Sequence, residues 1–562
     1  MIYGSKQLPI NKIDVRVIIN VFLVMVHRSS MLVLGIEGTA HTISSGIIDE
    51  ARVLSNVNST YIPPTGGIHP REAAIHHSAE VVSVIRRSLE EASVEMKDID
   101  VVAFSSGPGL GPCLRVAATA ARTLSIKVAK PIVRVNHPLG HIEIGRKLTG
   151  ALDPVMLYVS GGNTQVLAHL DGRYRVIGET IDIGVGNMLD KLARESGIPF
   201  PGGPIIEKMA ASGAELHELP YSVKGMNCSF SGILTAALSL TKNGKRIEDI
   251  FYSVQETAFA MLVEILERAL YLTGKKEIMI AGGVARNDRL RQMITDMAAE
   301  SGYNAMLTDK QFCMDNGAMI AQAGILIYKD RGGERIEDTH INQRERIDTV
   351  EAPWVRSKKL FPEMGTGAES VTVRGSFYGR DVVIKRRASK KYRNAVLDSR
   401  IRSSRQRNEF IILKRMDEMG IRVPIVYDYD PYGNSITFER IEGVMLSQFL
   451  SANEETGTVV QDIGRVIGTI HSERITHGDL TTNNIMVMDG KVCLIDPSMG
   501  KLDSTLEDIA SDVFLLLESF RSLNSDREDL IDDFMESYDR NFADSPAVIE
   551  TLSLMEKRRR YV

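Results

Sequence analysis

Residues 136–145 read NHPLGHIEIG. His137 and His141 stand four apart, which on a helix puts both imidazoles on one face. Two imidazoles on one face are the start of a metal site. In the zinc-protease pattern H-E-x-x-H, a glutamate follows the first histidine and serves as general base. Here Pro138 takes that place, so the pair keeps the capacity to hold a metal and lacks the proteolytic base. An isolated H-x-x-x-H is equally what two ordinary core or surface histidines look like. The rest of the chain has to decide.

A second set of chemically capable residues lies in the C-terminal third. VVIK (382–385) is a β-branched strand ending in Lys385, and it resembles the protein-kinase strand whose lysine grips nucleotide phosphates. Glu409 in the helical stretch RQRNEFIILKRM is the candidate ion-pair partner of Lys385. In ITHGDLTTNNIMV (475–487), Asp479 and Asn484 match the base and the metal ligand of the kinase catalytic loop, with Gly478 in place of its arginine. Asp496, 17 residues after Asp479, matches the second magnesium ligand, with Pro497 and Ser498 replacing the usual Phe-Gly. Phosphoryl transfer needs this set: magnesium neutralises phosphate charge, a lysine positions the phosphates, and an aspartate orients the nucleophile. The glycine-rich loop is degenerate, with Gly365 and Gly367 of GTGAES as its candidates. Only 66 residues follow Asp496 and no A-P-E occurs, so little chain is left for an activation segment or a peptide platform. A nucleotide hydrolase or a restricted kinase is the natural reading.

The elements that position these groups show a repeated plan. LVLGIEGTAHTISSGIID (32–49) and LYVSGGNTQVLAHLDGRY (157–174) both read as apolar strand, glycine-rich turn and alternating strand. This predicts a duplicated α/β domain. IMIAGGVARNDRLRQMI (278–294) reads as buried strand, Gly282-Gly283 turn and a helix starting near Asn287, a place for an anion at a helix N-terminus. From 331 to 368 the chain is charged and carries two prolines and the single Trp, which reads as a linker leading into a second domain. Residues 385–407 hold ten Lys/Arg against one Asp, and the chain ends KRRRYV. Such a run is either a solvated face or a contact for nucleic-acid phosphates, and the lack of carboxylates favours the latter.

Composition sets the limits. The 562 residues exceed one core, and 43% hydrophobic with 25% charged residues is ordinary for a globular protein. Net charge of −5 does not by itself announce a nucleic-acid binder. Four widely separated cysteines without a C-x-x-C argue against a disulfide framework or a zinc ribbon and fit a reducing cytoplasm. The apolar run VRVIINVFLVMV (15–26) is shorter than the roughly 20 residues a bilayer needs. Residues 1–30 read as an extension upstream of the true start at Met31, non-native or disordered, the alternative being a membrane-touching tail.

Taken together, GIEGTAHT (35–42), SSGPGLGPCLRVA (105–117), NHPLGHIEIG, YVSGGNTQ (158–165), NMLDKLAR (187–194), PGGPIIE (201–207), CSFSG (228–232), AGGVARN (281–287) and DNGAMIA (315–321) resemble the universal tRNA threonylcarbamoyladenosine transferases. These were formerly called glycoproteases. Residues from about 355 onward resemble the small atypical serine/threonine kinase of the KEOPS complex, and some archaea fuse the two in this order. The resemblance implies domains at 31–345 and 359–562, joined by a linker at 346–358. The first would have the actin/Hsp70/sugar-kinase fold and the second a minimal bilobal kinase fold.

The implied reaction moves threonylcarbamoyl from its adenylate to the exocyclic amine of the adenosine beside the anticodon, in tRNAs reading codons that begin with A. The resemblance further implies that Asp315 completes a metal site with His137 and His141, holding Fe(II), with zinc the alternative. Tyr158 is a candidate further ligand. Tyr158, Val159, Ser160, Gly161, Gly162, Asp190, Gly203, Glu207 and Asn287 would line the adenylate, with backbone N–H groups at Ser160–Gly162 on its phosphate. In the kinase half, Gly365, Gly367, Lys385 and Glu409 would serve ATP, Asn484 and Asp496 magnesium, and Asp479 would accept the proton. Implied partners are tRNA, a separate adenylate-forming synthase, a dimerising subunit on the transferase and a kinase-binding subunit, all cytoplasmic. Competing readings are a sugar-kinase or chaperone-like ATPase, which needs no metal triad, and a kinase half that is only a scaffold, which would not need Lys385, Asp479, Asn484 and Asp496.

Overall fold

The protein is described by a computed structural model covering residues 30–63, 68–170, 172–356, 369–453, 456–523 and 528–559. Residues 1–29, Gly365, Gly367 and the end of the basic tail lie outside the described residues. The chain forms two compact units: residues up to Ile144 with Asp315–Thr349, and Gly145–Met314 with Val350–Val562.

The first unit is built on a five-stranded sheet in the order β3-β2-β1-β4-β5. Its strands are β1 (Val33–Glu37), β2 (Thr42–Ile48), β3 (Val53–Thr60), β4 (Val101–Gly107) and β5 (Ile132–Asn136). Short turns make β1–β2–β3 antiparallel, whereas helices Pro70–Ala92 and Gly111–Val128 carry the chain across and make β4 and β5 parallel to β1. β1, β2 and β4 are buried along their whole length, as expected of strands covered on both faces. Leu34, Ile36, Ile43 and Ile47 pack with Val84 and Ala117 of the two crossover helices. The alternate residues Gly35 and Gly46 therefore face the other side, where helix Gly317–Arg331 lies against the sheet. A Cβ on Gly46 would sit 2.3 Å from the Ala318 nitrogen, and one on Gly317 would sit 2.2 Å from the Gly46 nitrogen, so these glycines set how closely helix and sheet approach. Residues 334–345 also belong to this unit, with Ile336 and Ile341 packed on its core and Arg134 paired to Glu334. This part of the charged 331–368 segment is thus folded structure rather than free linker.

The second unit repeats the sheet in the order β12-β11-β6-β7-β8, with β6 (Val155–Val159), β7 (Thr164–Leu170), β8 (Arg173–Glu179), β11 (Glu277–Ala281) and β12 (Asn304–Ala305). Three antiparallel strands followed by two parallel ones is the plan of the first sheet, as the paired glycine turns predict. Helix Ile247–Thr273 runs through the core of this unit, and a small hairpin of β9 (Val223–Lys224) and β10 (Asn227–Cys228) precedes it.

The C-terminal part of the same unit has the two layers of a kinase. A four-stranded antiparallel sheet, ordered β13-β14-β16-β15, is made of β13 (Val371–Phe377), β14 (Arg380–Arg386), β15 (Val426–Asp430) and β16 (Ser435–Glu439), and is joined by helix Ala395–Glu418. A three-stranded sheet of β17 (Val444–Met445), β18 (Ile485–Met488) and β19 (Lys491–Leu494) follows with helices Gly457–Ser472, Leu506–Leu523, Asp529–Asn541 and Ser545–Arg559. Among the described residues no helix is long and apolar enough to cross a membrane, and all four cysteines are free and buried.

Candidate functional site

β5 ends at Asn136 and the chain turns directly into helix His137–Thr149. Pro138 sits in the first turn of that helix, where a missing N–H costs nothing. The Asn136 side chain accepts the Leu139 N–H at 3.3 Å. This helix presents His137 and His141 together, their rings edge to face with centroids 4.9 Å apart. Both are buried, at 5% and 1% exposure. The third group arrives from 174 residues downstream. Asn316 caps helix Gly317–Arg331 by accepting the Met319 N–H, and the Gly317 N–H donates to Ser44 at 2.8 Å. Cap and glycine contact together fix the residue just before them, Asp315. Its Oδ1 lies 3.4 Å from His137 Nε2 and 3.3 Å from His141 Nε2.

A carboxylate not foreseen from the sequence completes this cluster. Glu37, at the end of β1 and fully buried, reaches His137 Nδ1 with Oε2 at 3.1 Å, while its Oε1 takes the Thr39 N–H and hydroxyl at 2.7 and 2.5 Å. A carboxylate on Nδ1 fixes the tautomer that leaves Nε2 as an electron-pair donor. Burial lowers the His141 pKa, so this ring stays neutral. Burial alone would raise the Asp315 carboxyl, but His137 and His141 beside it hold it well below its usual range. Two imidazoles and one carboxylate therefore converge. Donors about 2.1 Å from a common ion lie about 3.0–3.4 Å apart at octahedral to tetrahedral angles, and the observed separations match. The residues fit a divalent transition metal. Glu215, His217 and Asp249 also cluster, but Asp249 is engaged by the Ala214 and Glu215 N–H groups of a turn.

In the second unit, Tyr158 is the penultimate residue of β6, buried, opposite Gln165 and beside Ala281. After it, Ser160 donates its N–H to the Asn163 carbonyl at 2.7 Å, and its hydroxyl accepts the Asn163 N–H. The Ser160 N–H is thus engaged inside its own turn. The Ser160 and Gly161 carbonyls accept the Gly186 and Asn187 N–H groups, and a Cβ on Gly186 would sit 2.5 Å from the Ser160 oxygen. Asp190 accepts the Gly202 N–H at 2.8 Å, just before Gly203 opens helix Gly203–Ala210. From that helix Glu207 accepts the Asp288 N–H at 2.6 Å. Asn287 caps helix Asp288–Ser301 and donates to Gln255 at 3.1 Å. The structure therefore brings Glu207 and Asn287 to one helix terminus, with Asp190 and Gly203 at the other end of the shorter helix.

In the kinase-like part Lys385 on β14 pairs with Glu409 at 2.8 Å, as expected, and with Asp496 at 2.6 Å. Arg387 joins the same cluster, 2.7 Å from Glu409 and 3.0 Å from Glu369. Burial would raise the Asp496 carboxyl, yet Lys385 and Arg387 hold it well down. In the catalytic loop Asp512 accepts the His477 and Gly478 N–H groups at 2.5 and 2.8 Å, and Asn484 donates to the Asp479 carbonyl at 2.7 Å. Gly478 has φ +81°, and a Cβ there would lie 2.2 Å from the Met499 backbone. An arginine does not fit this position, which explains the departure from the usual catalytic loop.

Residues 52–322 match the tRNA N6-adenosine threonylcarbamoyltransferase family, and residues 372–528 match the RIO domain. A probable bifunctional tRNA threonylcarbamoyladenosine biosynthesis protein of Thermoplasma acidophilum is 56% identical over 532 residues, covering 95% of this chain and 100% of the relative. The chain belongs to this bifunctional family. A member of it from Methanothermobacter thermautotrophicus is 49% identical over 498 residues, covering 88% of this chain and 92% of the relative. As in the family's name, two activities share the chain: a threonylcarbamoyltransferase carrying the His137, His141 and Asp315 cluster, and a RIO-type kinase carrying Lys385, Asp479, Asn484 and Asp496.

The basic run of this bifunctional chain departs from expectation. Arg393 and Arg405 are buried and pair with Glu264 at 2.8 Å each, Lys390 pairs with Glu267 at 2.6 Å, and Arg402 pairs with Asp398 at 2.8 Å. The missing carboxylates are supplied by helix Ile247–Thr273, remote in sequence. Much of residues 385–407 is therefore an internal ion-pair network, with Arg386, Lys391 and Arg407 each exposed.

Proposed function

We propose that this chain transfers threonylcarbamoyl from threonylcarbamoyl-adenylate to the exocyclic nitrogen of the adenosine next to the anticodon, in tRNAs reading codons that begin with A. We further propose that its kinase half, residues 359–562, turns over ATP with magnesium at Asn484 and Asp496. The carrying observation is the His137–His141–Asp315 cluster in a chain that matches bifunctional relatives end to end. In the transfer, the adenosine nitrogen bonds to the carbamoyl carbon, the bond from that carbon to the adenylate oxygen breaks, AMP leaves and the nitrogen loses a proton.

When bound, Fe(II), or zinc as the alternative, supplies Lewis acidity at the His137–His141–Asp315 cluster. Glu37 orients His137, and burial keeps His141 neutral for its donor role. Tyr158, Val159, Ser160, Gly161, Gly162, Asp190, Gly203, Glu207 and Asn287 are proposed to hold the adenylate. The adenylate comes from a separate synthase, and small KEOPS-type subunits are the proposed assembly partners, in the cytoplasm.

For the kinase half, hydrolysis or a narrow Ser/Thr target is favoured over broad protein phosphorylation. Lys224 of the β9–β10 hairpin pairs with Asp508 at 2.7 Å, and a Cβ on Gly225 would lie 2.8 Å from Leu515, so the transferase half's own hairpin lies on the kinase part beside the catalytic loop. In hydrolysis a water oxygen bonds to the γ-phosphorus, the bond to the β-phosphate oxygen breaks, ADP leaves, and Asp479 accepts the water proton.

The test is mass analysis of tRNA nucleosides after incubation with threonine, bicarbonate, ATP, an adenylate-forming synthase and the protein. The expected product is threonylcarbamoyladenosine. Unmodified adenosine at that position, with metal-loaded protein and active synthase, would refute the reading.

A further inference from the structure

Helix Ile247–Thr273 belongs by sequence to the transferase half, yet its last turns serve the kinase half. Glu264 and Glu267 are each 1% exposed and neutralise Arg393, Arg405 and Lys390. The next residue, Arg268, goes further. Its Nε bonds Glu264 on its own helix at 3.2 Å, which fixes the guanidinium plane. Its Nη1 then donates to Asp479 Oδ2 at 3.2 Å, and its Nη2 pairs with Glu369, which leads from the glycine-rich segment into β13. Nη2 also lies 2.9 Å from the Met499 sulfur, three residues beyond Asp496. One planar, permanently charged fork thus holds the catalytic loop, the segment after Asp496 and the residue that leads into β13.

We propose that Arg268 is a positioning residue of the phosphoryl-transfer site, supplied by the transferase half, which holds Asp479 and Glu369 in register for ATP turnover. The inference rests on the reading that the kinase half turns over ATP. Asp479, Asp496 and Glu369 share one half-buried region, and like charges there oppose one another. Lys385 and Arg387 serve Asp496 and Glu369, whereas Asp479 has its ion pair with Arg268. The opposite role, a guard that blocks the site, is less consistent with the contact. Arg268 takes one carboxylate oxygen of Asp479 and is itself held by Glu264 on its own helix and by Glu369. A lysine carries the charge but cannot form the fork.

The experiment measures ATP hydrolysis by the full chain with magnesium, as kcat and KM separately, for wild type, Arg268→Ala and Arg268→Lys. Melting temperatures report folding. Misplacing a base by an ångström costs about 10²-fold, and Arg268→Ala is expected to lose kcat on that order with KM for ATP little changed. Added guanidinium is expected to restore part of the rate. Arg268→Lys is expected to show an intermediate kcat, and it decides the matter if Arg268→Ala does not fold. Wild-type kcat in both variants overturns the proposal. A faster Arg268→Ala overturns it in favour of a guard. A wild type that hydrolyses no ATP counts instead against the reading of the kinase half.

Discussion

At the scale of single residues, the metal cluster divides into what spacing reveals and what only the fold brings together. His137 and His141 are visible as a pair because a helix turns local spacing into a shared face. Asp315 has no local signal, since 174 residues separate it from His141, and only the resemblance of DNGAMIA to a family motif marks it. Glu37 lies inside a quoted motif, GIEGTAHT, but its contact to His137 exists only because β1 and β5 both run parallel to β4 and end on the same side of the sheet. The role of Glu37 can be measured. Glu37→Gln keeps the shape and removes the charge on His137 Nδ1, and loss of such an outer partner costs about 10–100-fold in metal affinity. Equilibrium dialysis against ferrous or zinc ions should show that drop. The double variant His137→Ala, His141→Ala should bind no metal, and full occupancy in it would contradict the site.

At the scale of elements, the duplicated hairpins, the Gly282-Gly283 turn and the Lys385 strand were legible because each is a local pattern. Asn287 and Asn316 are both N-caps, and the fold needs them there in that role alone. The basic run was less legible. Ten positive charges without nearby carboxylates look like a nucleic-acid surface, but Glu264 and Glu267 neutralise several from helix Ile247–Thr273. Pairing across distant segments leaves no trace in a local charge count. A sharper expectation follows for tRNA binding. Each lost phosphate contact flattens the log–log salt dependence by about 0.9 for a duplex. Replacing Arg386, Lys391 and Arg407 together with Gln should flatten it by up to about 2.7 on that basis. Arg405→Gln should instead lower the melting temperature, because it leaves Glu264 and Glu369 short of a buried partner, a loss of about 3–5 kcal/mol. An unchanged slope in the triple variant would make these exposed residues merely solvated.

At the scale of the whole molecule, one chain carries two chemistries. The second α/β half and the kinase-like part fold as one unit, and Glu264, Glu267 and Arg268 make a continuous ion-pair network between them. We propose that transfer takes place at the His137–His141–Asp315 cluster and that ATP turnover resets the assembly between tRNA cycles. The assignments separate in one measurement: threonylcarbamoyladenosine formed per protein, followed through the first turnover and beyond, in the double variant His137→Ala, His141→Ala and in Asp479→Asn. Removing a general base costs about 10²–10⁴-fold in its own reaction, so Asp479→Asn should lose ATP hydrolysis by that order, keep the first turnover of tRNA modification and fall behind in later ones. The histidine variant should form no product even in the first turnover. A histidine variant that modifies tRNA at the wild-type rate would contradict the metal cluster as the transfer site, and an Asp479→Asn protein that cycles like wild type would contradict the coupling of the two halves.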